Sequence, residues 1–152
     1  MPQTTGAYSQ ACASVEVSLD GVTWTDVSGS TQSVGGTEQG KMSGEAYTFD
    51  GRGPIIKGGK FEALDLTFAI VYSEVLTEAY EIARGVFEQD GCEDELWVRW
   101  VPSGGVVGTN QLTTHGPMTQ FTYPAMDASD AAPIMGGFTV RVGEITTAAI
   151  AS

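Results

Sequence analysis

The 152-residue chain holds seven basic and nineteen acidic residues, a net charge of −12, with 41% hydrophobic and 17% charged residues. That length fits one domain with a core large enough to need no metal or disulfide staple. The acid excess excludes an autonomous grip on nucleic-acid phosphate or on an anionic membrane, because both need clustered Lys and Arg. Twenty glycines without a repeat exclude collagen, and together with the low charge they favour strands and turns.

In chain order, residues 1–13 are small and polar without periodicity and read as an N-terminal arm. They carry no basic segment and no apolar run, so no classical signal peptide is expected, and no apolar stretch reaches the roughly 18 residues of a membrane span. Residues 14–19 and 22–27 alternate polar and apolar around Asp20-Gly21, the pattern of a β-hairpin. Residues 28–54 are polar and Gly-rich and read as one extended inter-strand loop, broken by a short strand candidate at 46–49. Ile55-Ile56 suggests a further short strand. Residues 61–72 form the longest strand candidate, with Leu64, Leu66, Phe68, Ile70 and Tyr72 on one face.

Ser73 is the expected N-cap of a single helix carrying Leu76, Ala79, Tyr80, Ala83, Val86 and Phe87 at helical spacing, stopped at Asp90-Gly91. Strands are expected at 95–101, weakly at 106–116, at 117–123 and at 138–145. Residues 124–133 read as an acidic loop and 146–152 as a C-terminal arm. The sum is a mainly β, antiparallel domain of about eight strands with one flanking helix. The pattern leaves sandwich and barrel open.

No catalytic constellation stands out. His115, the sole histidine, lies in a turn-like Thr-His-Gly-Pro context, and no Gly-x-Ser-x-Gly elbow is present. Cys12 and Cys92 read as reduced thiols, with a Cys12–Cys92 disulfide as the alternative. Neither zinc-type spacing nor an EF-hand loop occurs, so no enzyme, metal or cofactor is expected. Trp24, Trp97 and Trp100 raise the alternative of a carbohydrate-binding β-sandwich. Trp97 and Trp100 have opposite strand parity, however, which favours packing over a stacking platform.

The order of several segments resembles the major tail tube proteins of long-tailed phages with non-contractile, siphovirus-type tails. The segments are Val15-Glu-Val-Ser-Leu-Asp-Gly-Val-Thr-Trp-Thr-Asp-Val-Ser-Gly29, Gly44-Glu-Ala-Tyr-Thr-Phe-Asp-Gly51, Gly59-Lys-Phe-Glu-Ala-Leu-Asp-Leu-Thr-Phe-Ala-Ile-Val-Tyr-Ser73, Leu96-Trp-Val-Arg-Trp-Val-Pro102, Pro133-Ile-Met-Gly-Gly-Phe-Thr-Val140 and Ile145-Thr-Thr147. No segment is diagnostic alone; their order and spacing carry the likeness, over roughly residues 14–150.

The resemblance implies one tail tube domain over residues 1–152. It implies hexameric rings that share an inner β-barrel and stack into a hollow tube, in a virion made in a bacterial cytoplasm. The fold is also similar to the haemolysin-coregulated tube proteins of type VI secretion. The implied partners are further copies of the chain, a tape measure protein, tail terminator and distal tail proteins, and viral DNA passing without adhesion; no membrane is implied. Glu16, Glu62 and Asp65 become candidates for the lumen. In the 28–54 loop, Gln32, Val34, Glu38, Lys41, Met42, Tyr47, Phe49 and Arg52 become candidates for ring stacking.

Overall fold

A computed structural model describes residues 2–89 and 95–151. Its ten strands are β1 (Ser14–Ser18), β2 (Thr25–Asp26), β3 (Thr31–Gly35), β4 (Lys41–Ala46), β5 (Ile55–Phe61), β6 (Leu64–Val71), β7 (Glu95–Val101), β8 (Asn110–Thr122), β9 (Met135–Val142) and β10 (Thr146–Ala149). One α-helix, α1 (Ala79–Phe87), lies between β6 and β7. Eight strands form one sheet in the order β2-β1-β7-β8-β9-β6-β3, with β10 added beside β8; β4 and β5 form a separate two-stranded sheet. Every pairing is antiparallel.

The core follows from strict alternation. In β6, Leu64, Leu66, Phe68 and Ile70 are buried while Asp65 and Thr67 face outward. Phe68 lies directly across from Phe138 of β9, their rings stacked at 4.6 Å. Leu96 and Val98 of β7, Val17 of β1 and Val140 and Val142 of β9 join the same cluster. Tyr80, Ala83 and Val86 bring the apolar stripe of α1 onto it.

β8 unites the sheet. Its first part pairs with β7 from Leu112 to Pro117, and its second part pairs with β9 from Met118 to Thr122. Pro117 has no N–H to donate and sits where β8 leaves β7. At Gly116 the β9 backbone comes so close that an added Cβ would lie 2.0 Å from the Arg141 carbonyl oxygen.

Several expectations need correction. The hairpin at 14–27 exists, but its second strand starts at Thr25, not Val22. Asp20 accepts backbone hydrogen bonds from Val22 and Thr23 and builds a turn of its own, with Gly21 at a φ of 79°. The bonds from Thr23 and Val22, with the Ser18 hydroxyl, hold the Asp20 carboxyl below its ordinary range.

The 28–54 segment is not one loop. It contains β3, which borders β6, and β4, which ends where the strand expected at 46–49 would begin. The strands expected at 106–116 and 117–123 are one, so His115 lies mid-strand and not in a turn. The C-terminal arm is the strand β10, paired with residues 110–113 of β8.

The helix starts at Ala79, six residues after Ser73, which only accepts from the Val75 N–H. The Ala79 N–H instead donates to Oγ of buried Ser30, at 3.1 Å, and Ser30 donates to the Val27 carbonyl. The helix stop expected at Asp90-Gly91 lies outside the described residues.

Ser30→Ala should therefore destabilise the protein by about 1–2 kcal/mol in urea unfolding, while Ser73→Ala stays within about 0.5 kcal/mol. Gly116→Ala should cost about 1–3 kcal/mol in the same assay, because backbone and not a flexible side chain occupies the space.

Candidate assembly surfaces

The β4–β5 hairpin is the part of the chain whose folding the core does not explain. Every residue of both strands is exposed. Met42, Ile55, Ile56 and Phe61 display large apolar surface, Ile56 at 65% exposure, and beyond the strands Tyr47 is 74% exposed and Phe49 fully so. An isolated two-stranded ribbon is marginal in water, and apolar residues on it mark an interface.

On β5, Ile55 and Lys57 share one face; past a register shift, Phe61 lies opposite Lys41, whose Nζ is 4.9 Å from the ring centroid. Lys41, Met42, Tyr47, Phe49 and Arg52 thus belong together on this arm. The other three stacking candidates do not. Gln32 and Val34 lie on β3, with Val34 packed against the core, and Glu38 sits in the link between β3 and β4.

The base of the arm is held by a residue that sequence reading missed. Gln39 Nε2 donates to the carbonyls of Glu62 (2.6 Å) and Gly143 (3.2 Å), and its Oε1 accepts from the Ile145 N–H (3.1 Å). One amide side chain thus joins the arm's root to the turn after β9. The signal was only a polar residue in a polar stretch.

The three lumen candidates separate. Glu16 on β1 pairs with Arg99 of the adjacent β7 at 2.6 Å, and that guanidinium lies 4.3 Å from the Trp24 ring centroid. Both partners are only 22–24% exposed. Asp65 on β6 pairs with Arg141, its direct cross-strand neighbour, at 2.9 Å; both are half exposed. Glu62 lies between β5 and β6, exposed and outside any ion pair among the described residues. Two of the three acids are therefore neutralised by arginine, so a repulsive lumen charge is not their isolated property.

The tryptophans are occupied. Trp97 stacks on His115 at 4.0 Å between centroids, and Gly21 packs so close that an added Cβ would reach 3.0 Å from the Trp97 ring. Trp24 is covered by Arg99, and Trp100 packs on the core. His115 Nδ1 also lies 3.4 Å from Glu95. Cys12 is exposed in a short 3-10 turn, and Cys92 lies outside the described residues. Among the described residues, no group of three His, Cys, Asp or Glu is placed to hold a metal, and no helix is long and apolar enough to cross a membrane.

Replacing Glu16 by Ala leaves a half-buried guanidinium without its anion and should destabilise the fold by about 1–2 kcal/mol in urea unfolding. Asp65→Ala, at an exposed pair, should cost less than about 1 kcal/mol.

No protein-family model matches the chain, and no curated protein matches it in sequence. Solved structures do match in fold. A chain of the anti-feeding prophage tube-terminating cap is similar with a TM-score of 0.70 at 15% identity, covering 98% of this chain and 95% of that one. A chain of the sheath–tube complex of an extracellular contractile injection system (PVC) in its extended state gives a TM-score of 0.69 at 14% identity, over 98% and 93%. A chain of the tail of an empty GTA particle, refined with C6 symmetry, gives 0.65 at 14%, over 94% and 100%. The chain has the mainly antiparallel β fold, with one helix, of the tail tube proteins.

Proposed function

We propose that the protein is a structural, non-catalytic subunit of a phage-like tail tube, in which hexameric rings stack into a hollow conduit. The observation that carries this reading is the exposed β4–β5 arm: an apolar, cationic ribbon with no cover of its own, on a domain of tail tube fold. Covering it requires another chain, and repeated copies provide one at every step. A ring would also give the sheet's terminal strands β2 and β3 neighbours, removing the hazard of open edges.

Similar chains come from particles described as tube-terminating, sheath-bearing and C6-symmetric. They support a sixfold ring and a terminator partner. Because one such particle is described as contractile, the likeness favours a contractile-type tail over the non-contractile one that the sequence resemblance implied. A tape measure protein during assembly and DNA in transit complete the proposal. A net charge of −12 suits a conduit to which phosphate does not adhere. Glu62 is the better-placed lumen candidate, since Glu16 and Asp65 already hold arginines.

Negative-stain microscopy of concentrated protein should show sixfold rings or tubes; a monomer at every concentration contradicts the proposal. Replacing residues 43–59 by a short Gly-Ser turn should abolish tube growth while leaving the thermal midpoint within a few degrees, because the arm lies outside the core. Tubes of normal length from that variant would remove the arm from the stacking contact.

A further inference from the structure

Charge is divided unevenly between the arm and the rest of the chain. Residues 41–61 hold Lys41, Arg52, Lys57 and Lys60 against Glu45 and Asp50, a net +2; all other positions hold three basic against seventeen acidic residues, a net −14, which together make the −12 of the whole. The three basic residues of the body are already committed: Arg84 to Glu81 and Glu88, Arg99 to Glu16, Arg141 to Asp65. Among the described residues none of the four arm cations is in an ion pair. The arm is therefore a cationic, apolar ribbon on an acidic body, and its complement is a surface that is acidic and apolar together.

The register of the sheet places such a surface at the far end of the same molecule. β6 and β9 pair from Leu64↔Val142 at one end to Val71↔Met135 at the other, a span of about 24 Å at 3.4 Å per residue. The arm springs from the Leu64 end, clasped there by Gln39 to Glu62 and Gly143. The loop between β8 and β9 occupies the Val71 end, tied there by the Tyr72 N–H donating to the Ile134 carbonyl. This loop forms an open groove of about 720 Å³ lined by Met126, Asp127, Asp130, Pro133, Ile134 and Met135. Met126 is 82% exposed. The Ser129 hydroxyl and backbone N–H hold the Asp127 carboxyl below its ordinary range, so it stays charged.

We infer that the arm of one copy docks in the 125–135 groove of a second copy, Lys57 and Lys60 meeting Asp127 and Asp130, so that subunits join head to tail along the strand direction of β6 and β9. Plug and socket lie at opposite ends of one molecule. A copy does not fill its own socket, since every residue of β4 and β5 is exposed. An antiparallel pair would satisfy both plugs at once and stop at a dimer, whereas copies aligned head to tail leave a free plug at one end and a free socket at the other. A heterologous contact directed along the strands repeats from copy to copy when its rotation does not close, which is what stacking requires. The inference rests on the tube reading and adds the partner surface and polarity of its stacking contact.

A charge swap tests it. Lys57→Glu/Lys60→Glu and, separately, Asp127→Lys/Asp130→Lys should each lower the pelleted polymer fraction at least about tenfold, since like charges then face each other. Each variant should keep the wild-type melting profile, because all four residues are exposed and outside the core. Combining all four substitutions in one chain should restore polymer to within about threefold of wild type, as should mixing the two double variants. Wild-type tubes with an unaffected Asp127→Lys/Asp130→Lys variant, or two blocked double variants with no rescue by the combined one, overturn the pairing and leave the tube reading standing. A wild-type chain that never assembles overturns both.

Discussion

The run of β8 through Gly116 and Pro117 is the constraint on which the rest of the structure depends. A single 13-residue strand serves two neighbours in turn, β7 before this point and β9 after it. The change of partner is possible because Pro117 needs no acceptor and because Gly116 has no side chain to keep β9 away. It brings Leu96 and Val98 from one side into the same core as Leu66, Phe68 and Val140 from the other. The helix, capped by Ser30, then closes that core, and the Leu64 end of β6 is left to project the arm.

What sequence could reveal tracks how local each signal is. β6 and β7 were legible because alternation of Leu, Phe, Val and Trp against polar residues needs no knowledge of partners. The hairpin at Asp20-Gly21 was legible in kind but not in length, since the Asp20 carboxylate builds a wider turn than the dipeptide suggests. β8 was read as two strands because Gly-Pro ordinarily punctuates the chain. The helix start was misplaced because its cap comes from Ser30, 49 residues away. β3 and β4 were hidden because polar, Gly-rich strands carry no burial pattern: β3 is defined by β6 and β4 by β5.

The candidate surface was legible in the same uneven way. The sequence resemblance pointed into the 28–54 segment, and five of its residues do share the arm. Gln32, Val34 and Glu38 fell elsewhere because one apparent loop is in fact a body strand, a link and half of a ribbon. Glu16 and Asp65 looked like lone acids on apolar strands, yet each meets an arginine supplied by an adjacent strand, a relation that only register discloses. The net charge changes meaning accordingly. It is not a uniform acidic coat but an acidic body with its own arginines neutralised and a cationic arm held apart from it.

The central claim is that the arm is completed by another copy. Amide hydrogen exchange of residues 41–61, compared between dilute monomer and pelleted assembly, tests it most directly. An uncovered ribbon should exchange quickly in the monomer, held only by its own marginal ladder, and slow by at least about tenfold on assembly as its apolar face and backbone leave water. Equal exchange in the two states, with protection gained elsewhere, would contradict the account.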